Sequence, residues 1–269
     1  RTSCYAIDST SIHLCLSLFP WAPYKEALGS VKLHTVMDLR GSIPTFFDMT
    51  SGKVNDMNFL DIITFESGAF YVMDRGYLDF KRLLAIHTCG SFFVTRAKDN
   101  MHFERRYSNP VDKTTGVLVD QVIFLTGTHT PERYPNTLRR IKYCDAETQR
   151  VYVFLTNNFS VSALSIALLY KHRWQIELFF KWSKQHLKIN GFWGHSANAV
   201  KTQICIALCT YLLVAILKKQ LCLKRNLYEI LQILSVSLFD RSGVVALFSR
   251  SSLQNSVKSF ENTAPLFDF

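Results

Sequence analysis

The chain has 269 residues, of which 48% are hydrophobic and 19% charged, and 31 Lys and Arg against 21 Asp and Glu give a net charge of +10. That composition excludes a disordered or low-complexity chain, and the length suits one large or two modest domains with a sizeable core. The positive excess favours a polyanionic partner such as nucleic acid, although a ribosomal or acidic-membrane surface gives the same balance.

The first residue is Arg1 and a strand-like run follows at once, so the chain reads as part of a longer protein with a region upstream. Residues 4–8 (CYAID) form a short apolar strand ending in a carboxylate, and 12–18 alternates like its hairpin partner. Residues 33–39 (LHTVMDL) make a third strand, and 43–49 continue extended after the turn at Gly41. Residues 55–66 read as a helix with Asn55 as N-cap. An aromatic-rich strand at 69–73 ends at Asp74, a helix covers 78–87, and 91–96 (SFFVTR) is the next strand. This order predicts an α/β fold with a mixed sheet flanked by helices. The predicted first part of the core is 1–97.

Between 98 and 159 the pattern becomes β-rich, with strands at 116–126 and 150–156 and turns at Asn109-Pro110, Thr130-Pro131 and Tyr134-Pro135. It reads as an insertion before a second, helical part of the core at 160–248. That part holds helices over 161–190, 198–219 and 227–238, and an irregular tail follows at 249–269. The apolar run 204–217 is short for a bilayer span and reads as a buried helix, so no membrane role is expected. The seven cysteines show neither CxxC pairs nor zinc spacing. Cys205 and Cys209, one turn apart, read as buried thiols, and the compartment as reducing and cytoplasmic.

Residues 170–188 (YKHRWQIELFFKWSKQHLK) carry one carboxylate, Glu177, among five Lys and Arg. At about 100° per residue, Tyr170, Arg173, Glu177, Lys181, Lys184 and Lys188 share a stripe, with Leu168, Leu169, Ile176, Phe179, Phe180 and Leu187 opposite. Surface helices usually mix signs for i,i+4 pairing. An acid among cations suits a site where a polyanion and a metal meet; a lysine-rich surface helix is the plainer alternative.

Asp8 and Asp74 both end predicted strands, and the carboxyl ends of strands are where open α/β sheets bind ligands. Three carboxylates converge only with a cation between them, and hard oxygen donors suit Mg²⁺ or Mn²⁺. Two such ions would serve phosphodiester chemistry. Capping of local N–H groups is the structural alternative for each Asp. Asp38, inside a strand, is the strongest competing acid, ahead of Asp48, Asp56 and Asp61.

The spaced residues Tyr170, Arg173, Glu177 and Lys184 resemble the Tyr-Arg-Glu-Lys signature of DDE-superfamily insertion-sequence transposases, specifically the insertion-sequence-four family. The blocks AIDST around Asp8 and YVMDRGY around Asp74 are similar to that family's two aspartate blocks, as are KLHTVMDLRGSIPTFFDMTSGKVND and FFVTRAKDN. The resemblance runs from about residue 3 to 217. It implies an RNase H-like core interrupted by a β-rich insertion. It also implies cut-and-paste transposition, in which ends are cleaved and joined to target DNA with Mg²⁺ or Mn²⁺, two ions being expected. By the same resemblance Asp8, Asp74 and Glu177 are the catalytic metal ligands, and Tyr170, Arg173 and Lys184 grip phosphates. Transposon-end and target DNA are the implied partners, with a homodimer as the working unit at the nucleoid.

Lys181 and Lys188 extend the basic stripe, and Arg75 either orients Asp74 or contacts DNA. Lys32 and His34 read chiefly as strand-edge residues, and His172, Trp182, Phe192 and Trp193 as packed core side chains. His186 and His195 are weak general-base candidates, since a two-metal site needs none. Tyr107, Tyr134 and Tyr143 are the insertion's candidates for stacking on a base. A nuclease without strand transfer and an inactive DNA-binding descendant remain as alternatives.

Overall fold

A computed structural model describes residues 2–26, 28–237, 243 and 247–248. The irregular tail expected at 249–269 and the last residue of the 227–238 helix lie outside them. The chain divides into two compact units, 1–201 and 202–269. That boundary falls inside a long helix and does not coincide with 159/160.

The first unit is built on one ten-stranded sheet. Its centre is parallel: β1 (Cys4–Cys15), β5 (Phe70–Met73) and β6 (Phe92–Arg96) run together, in register Ile7 to Met73 and Met73 to Thr95. β3 (Leu28–Asp38) pairs antiparallel with β1, and β2 (Pro23–Lys25) and β4 (Ile43–Ser51) pair with β3. On the other side β10 (Val151–Thr156) joins β6, followed by β9 (Leu138–Cys144), β8 (Val117–Leu125) and the edge strand β7 (Phe103–Ser108). The β-rich segment therefore prolongs the central sheet.

Side-chain alternation explains why both faces are covered. Tyr71 and Met73 of β5 join Phe93, Leu83 and Ile86 in one core, with the last two on α1 (Phe80–Thr88). Phe70 and Val72 join Val94, Phe154, Ile166 and Tyr170 in the other, with the last two on α3 (Ala163–Lys171). A strand covered on both faces needs an unbroken apolar run, and all four residues of β5 are buried. This mixed sheet between helices is the RNase H-like α/β architecture that the resemblance implies.

Several expectations need correction. β1 is one twelve-residue strand whose partner is β3, where two hairpin strands were expected. The helix expected at 55–66 is a 3-10 turn over Asp56–Asp61, although Asn55 does cap it. The helix expected over 161–190 breaks into α3 and α4 (Trp174–His186). The i→i+3 bonds Arg173 N–H to Tyr170 O and Ile176 N–H to Arg173 O tighten the joint. That joint turns His172 out to solvent instead of into the core. Trp193 is 89% exposed. A four-residue helix, α2 (Thr130–Arg133), interrupts the β-rich segment with Pro131 in its first turn.

In the second unit Val214, Ile230 and Phe248 form a core with leucines of α5 (Ala197–Gln220) and α6 (Leu227–Val236). α5 extends well beyond the 204–217 run and is long and apolar enough to cross a membrane by length and composition, with 33% of its most apolar window buried. Cys209 on it is exposed, contrary to expectation, and all seven cysteines are free thiols.

Candidate active site

Ile7 and Met73 point into the α1-side core, so the next residues, Asp8 and Asp74, turn to the opposite face, the side of α3. Because Ile7 pairs with Met73 in a parallel register, the two acids follow side by side, Asp74 just past the end of β5 and Asp8 within β1, which runs on to Cys15 and so does not end at Asp8 as expected. Glu177 comes from the first turn of α4. Asp8, Asp74 and Glu177 line one open cleft of about 510 Å³ together with Thr10, Arg173, Phe180, Lys181 and Lys184.

Each aspartate commits one oxygen locally. Asp8 Oδ1 accepts the Ser9 N–H at 2.8 Å, and Asp74 Oδ1 accepts the Gly76 N–H at 2.7 Å. A Cβ at position 76 would lie 2.9 Å from Asp74 Oδ1, so a larger residue there would require the carboxyl group to shift. Capping is thus real for Asp74, and it leaves the second oxygen uncommitted by the cap. Asp8 Oδ2 instead accepts from Arg173 Nη1 at 2.7 Å, while Arg173 Nη2 donates to Glu177. Burial pushes the Asp8 carboxyl up to about 6, against the pull of Arg173 and the Ser9 N–H and with the help of Asp74 and Glu177. Burial alone would lower the Arg173 pKa, but Tyr170, Asp8 and Glu177 raise it overall.

The predicted phosphate-gripping residues divide by depth. Tyr170 is buried against Phe154, with the Arg173 guanidinium 5.6 Å above its ring, so it serves as a platform beneath the cleft. Arg173 is turned inward and its side chain is 13% exposed. Lys184 donates to the Ser11 carbonyl at 2.9 Å, tying α4 to β1, and burial lowers its pKa. Lys181 lines the cleft and is exposed. Lys188 lies past α4 with φ +51 and does not line the cleft. Arg75 reaches Asp99, 3.9 Å away, at the surface. Tyr107 is exposed, whereas Tyr134 and Tyr143 are buried.

Three of the four competing acids, Asp38, Asp56 and Asp61, are engaged elsewhere. Asp38 is bound by Arg40 at 2.7 Å and Asp61 by Arg82 at 2.6 Å. Asp56 accepts from Ser9 Oγ at 2.7 Å and pairs with Lys32 at 2.9 Å, behind Asp8. Ser9 and Asp56 thus support the strand carrying Asp8, a role the sequence does not reveal. Asn157 and Asn158 have supporting roles of the same kind. Asn157 bonds the Phe93 N–H and the Ser91 carbonyl, while Asn158 Oδ1 collects the N–H groups of Ser160 and Val161 just before the Ser162 cap of α3. An Asn pair between a strand and a Ser-capped helix is the signal that could have found them.

As a donor set, the three carboxylates fit a hard divalent ion and not zinc. Among the described residues, however, no group of three or more His, Cys, Asp or Glu is gathered closely enough to hold one. The cation that bridges Asp8 and Glu177 is Arg173.

The family model described as "Transposase DDE domain" matches residues 1–213. A Sinorhizobium fredii protein described as a transposase is 34% identical over 246 residues, covering 90% of this chain and 68% of its own length. A Geobacillus stearothermophilus protein, described as a transposase for insertion sequence element IS5377, is 31% identical over 208 residues, covering 77% of this chain and 54% of its own. The chain thus spans about half to two thirds of these relatives. Among solved structures, a piggyBac transposase synaptic complex with hairpin DNA superposes with a TM-score of 0.55 at 10% identity, over 97% of this chain and 58% of that one, a likeness of fold. With residues 1–213 matched by the family model and a relative 34% identical over 90% of its length, the chain belongs to the transposase DDE domain family.

Proposed function

We propose that this chain is the catalytic domain of a DNA transposase, which cleaves at transposon ends and joins the freed 3′ ends to target DNA. The carrying observation is the cleft in which carboxylates from β1, β5 and α4 meet Arg173, Lys181 and Lys184. In this reading Asp8, Asp74 and Glu177 would be the ligands of Mg²⁺ or Mn²⁺, gathered more closely than they stand here. Such ions, when bound, activate the attacking oxygen and stabilise the leaving one.

The chain's own residues supply the rest. β1 fixes Asp8 through the Ser9 N–H, and the turn after β5 fixes Asp74 through the Gly76 N–H. Glu177 approaches from a separate helix. Lys181 and Lys184 neutralise phosphate charge at the cleft and fix the strand's register. The partners in this reading are transposon-end and target DNA, with two copies pairing the ends, and the setting is the bacterial cytoplasm.

One observation favours a second reading, a transposase descendant that binds DNA without cutting it: Arg173 occupies two of the three acids. Glu177→Gln separates the two. In the enzyme it abolishes Mg²⁺-dependent nicking of end DNA and leaves DNA binding within about threefold of wild type. Wild-type protein that binds end DNA yet never cuts it with Mg²⁺ or Mn²⁺ would establish the second reading. Cutting with no joined product from a pre-cleaved end would reduce the activity to a nuclease.

A further inference from the structure

Arg139, which is buried, and Arg173, whose side chain is 13% exposed, both pair with carboxylates, and they differ. Arg139 spends all three nitrogens: Nε and Nη2 on Asp120 at 2.8 Å each, and Nη1 on the carbonyls of Asn158 and Val161. Arg173 divides its two terminal nitrogens between Asp8 on β1 and Glu177 on α4, and its buried Nε has no partner. A buried donor left unpaired carries a desolvation cost that a fully bonded one does not. Arg173 also sits at the joint between α3 and α4, 5.6 Å over the Tyr170 ring, and faces a cleft lined by Lys181 and Lys184. A guanidinium fork fits a phosphate as well as it fits a carboxylate.

We propose that Arg173 is an exchangeable counter-ion. Without DNA it neutralises Asp8 and Glu177. A backbone phosphate held by Lys181 and Lys184 draws it away and frees both carboxylates for a divalent cation. The idea rests on the transposase reading and adds a safeguard to it, because the acids become available only when DNA is present. Phosphate binds only the arrangement with Arg173 released, so it shifts the balance toward that arrangement. By linkage, Mn²⁺ must tighten DNA binding by the factor that DNA tightens Mn²⁺ binding.

The test measures Mn²⁺ affinity from the free-ion electron paramagnetic resonance signal, with and without a short DNA duplex of arbitrary sequence. Binding by the duplex alone is subtracted. Phosphate contacts carry no sequence information, so the natural end is not required. For wild type, DNA should tighten Mn²⁺ binding by about tenfold or more. Arg173→Gln should bind Mn²⁺ about as tightly without DNA as wild type does with it, and gain little from the duplex. The wild-type comparison needs no variant and stands even if R173Q fails to fold. Equal wild-type affinity with and without DNA, or an R173Q protein that binds no tighter than wild type, overturns the exchange; if Mn²⁺ still supports cutting, the transposase reading survives. Absence of Mn²⁺ binding under every condition overturns both.

Discussion

His34 shows how much a single buried side chain can govern. It lies on β3 at zero exposure, stacked on Phe59 with ring centroids 5.0 Å apart, and its Nε2 is 2.8 Å from Thr50 Oγ1. Burial holds its pKa below the ordinary 6.5, with Lys32 acting in the same direction and Asp56 and Asp48 opposing. The unfolded chain therefore takes up the proton first as pH falls. His34 contributes stability that is present above pH 6.5 and lost as pH drops through the lower folded value. Urea midpoints of wild type should decline on acidification from about pH 7 to about pH 5, and His34→Gln should flatten that slope. An unaltered slope would mean that other groups set it. The sequence puts His34 on a strand but gives no depth, because alternation assigns a face and not the thickness of what covers it. The same gap separates the expected surface role of Arg173 from its inward position.

Among the elements, the segment joining β10 to α3 sets where α4 can lie, and so where Glu177 can be. Arg139 on β9 reaches across to the carbonyls of Asn158 and Val161 while paired with Asp120 on β8. Asp120→Ala leaves a buried guanidinium without its acid, and a loss of about 3–5 kcal/mol in urea unfolding is expected. A change below about 1 kcal/mol would show that the pair is dispensable. Asp74 after β5, the Asn55 cap and the stretch of the stripe that lies on α4 were legible because each depends on local pattern. The break between α3 and α4 was not, since neither Pro nor Gly marks it; it exists as a 3-10 joint seated on the sheet. β1 was misread as a hairpin because Asp8, Ser9 and Thr10 look like a turn, whereas Asp8 to Thr10 pair continuously with Thr35 to Leu33.

For the molecule as a whole, the net charge of +10 predicts DNA binding that weakens steeply with salt. Lys181, exposed at the cleft, should account for about one phosphate contact. Lys181→Ala is expected to reduce the slope of log affinity against log salt by about 1, with similar loss on every sequence tested. An identical slope would remove Lys181 from the interface. Composition alone favours a polyanionic partner. The cleft proposed for it needs the sheet order, because β1 and β5 are far apart in sequence and become neighbours only once β5 docks parallel to β1.

Strand β7 closes the sheet on its outer side with only β8 as a neighbour. Its register slips at Arg106, between Arg105 opposite Ile123 and Tyr107 opposite Val122, and residues 104–107 are exposed. A flat, apolar border would let copies add strand to strand into fibres. Here a kink and two adjacent guanidinium groups spoil that template. Such a border resists the docking of a second copy strand against strand.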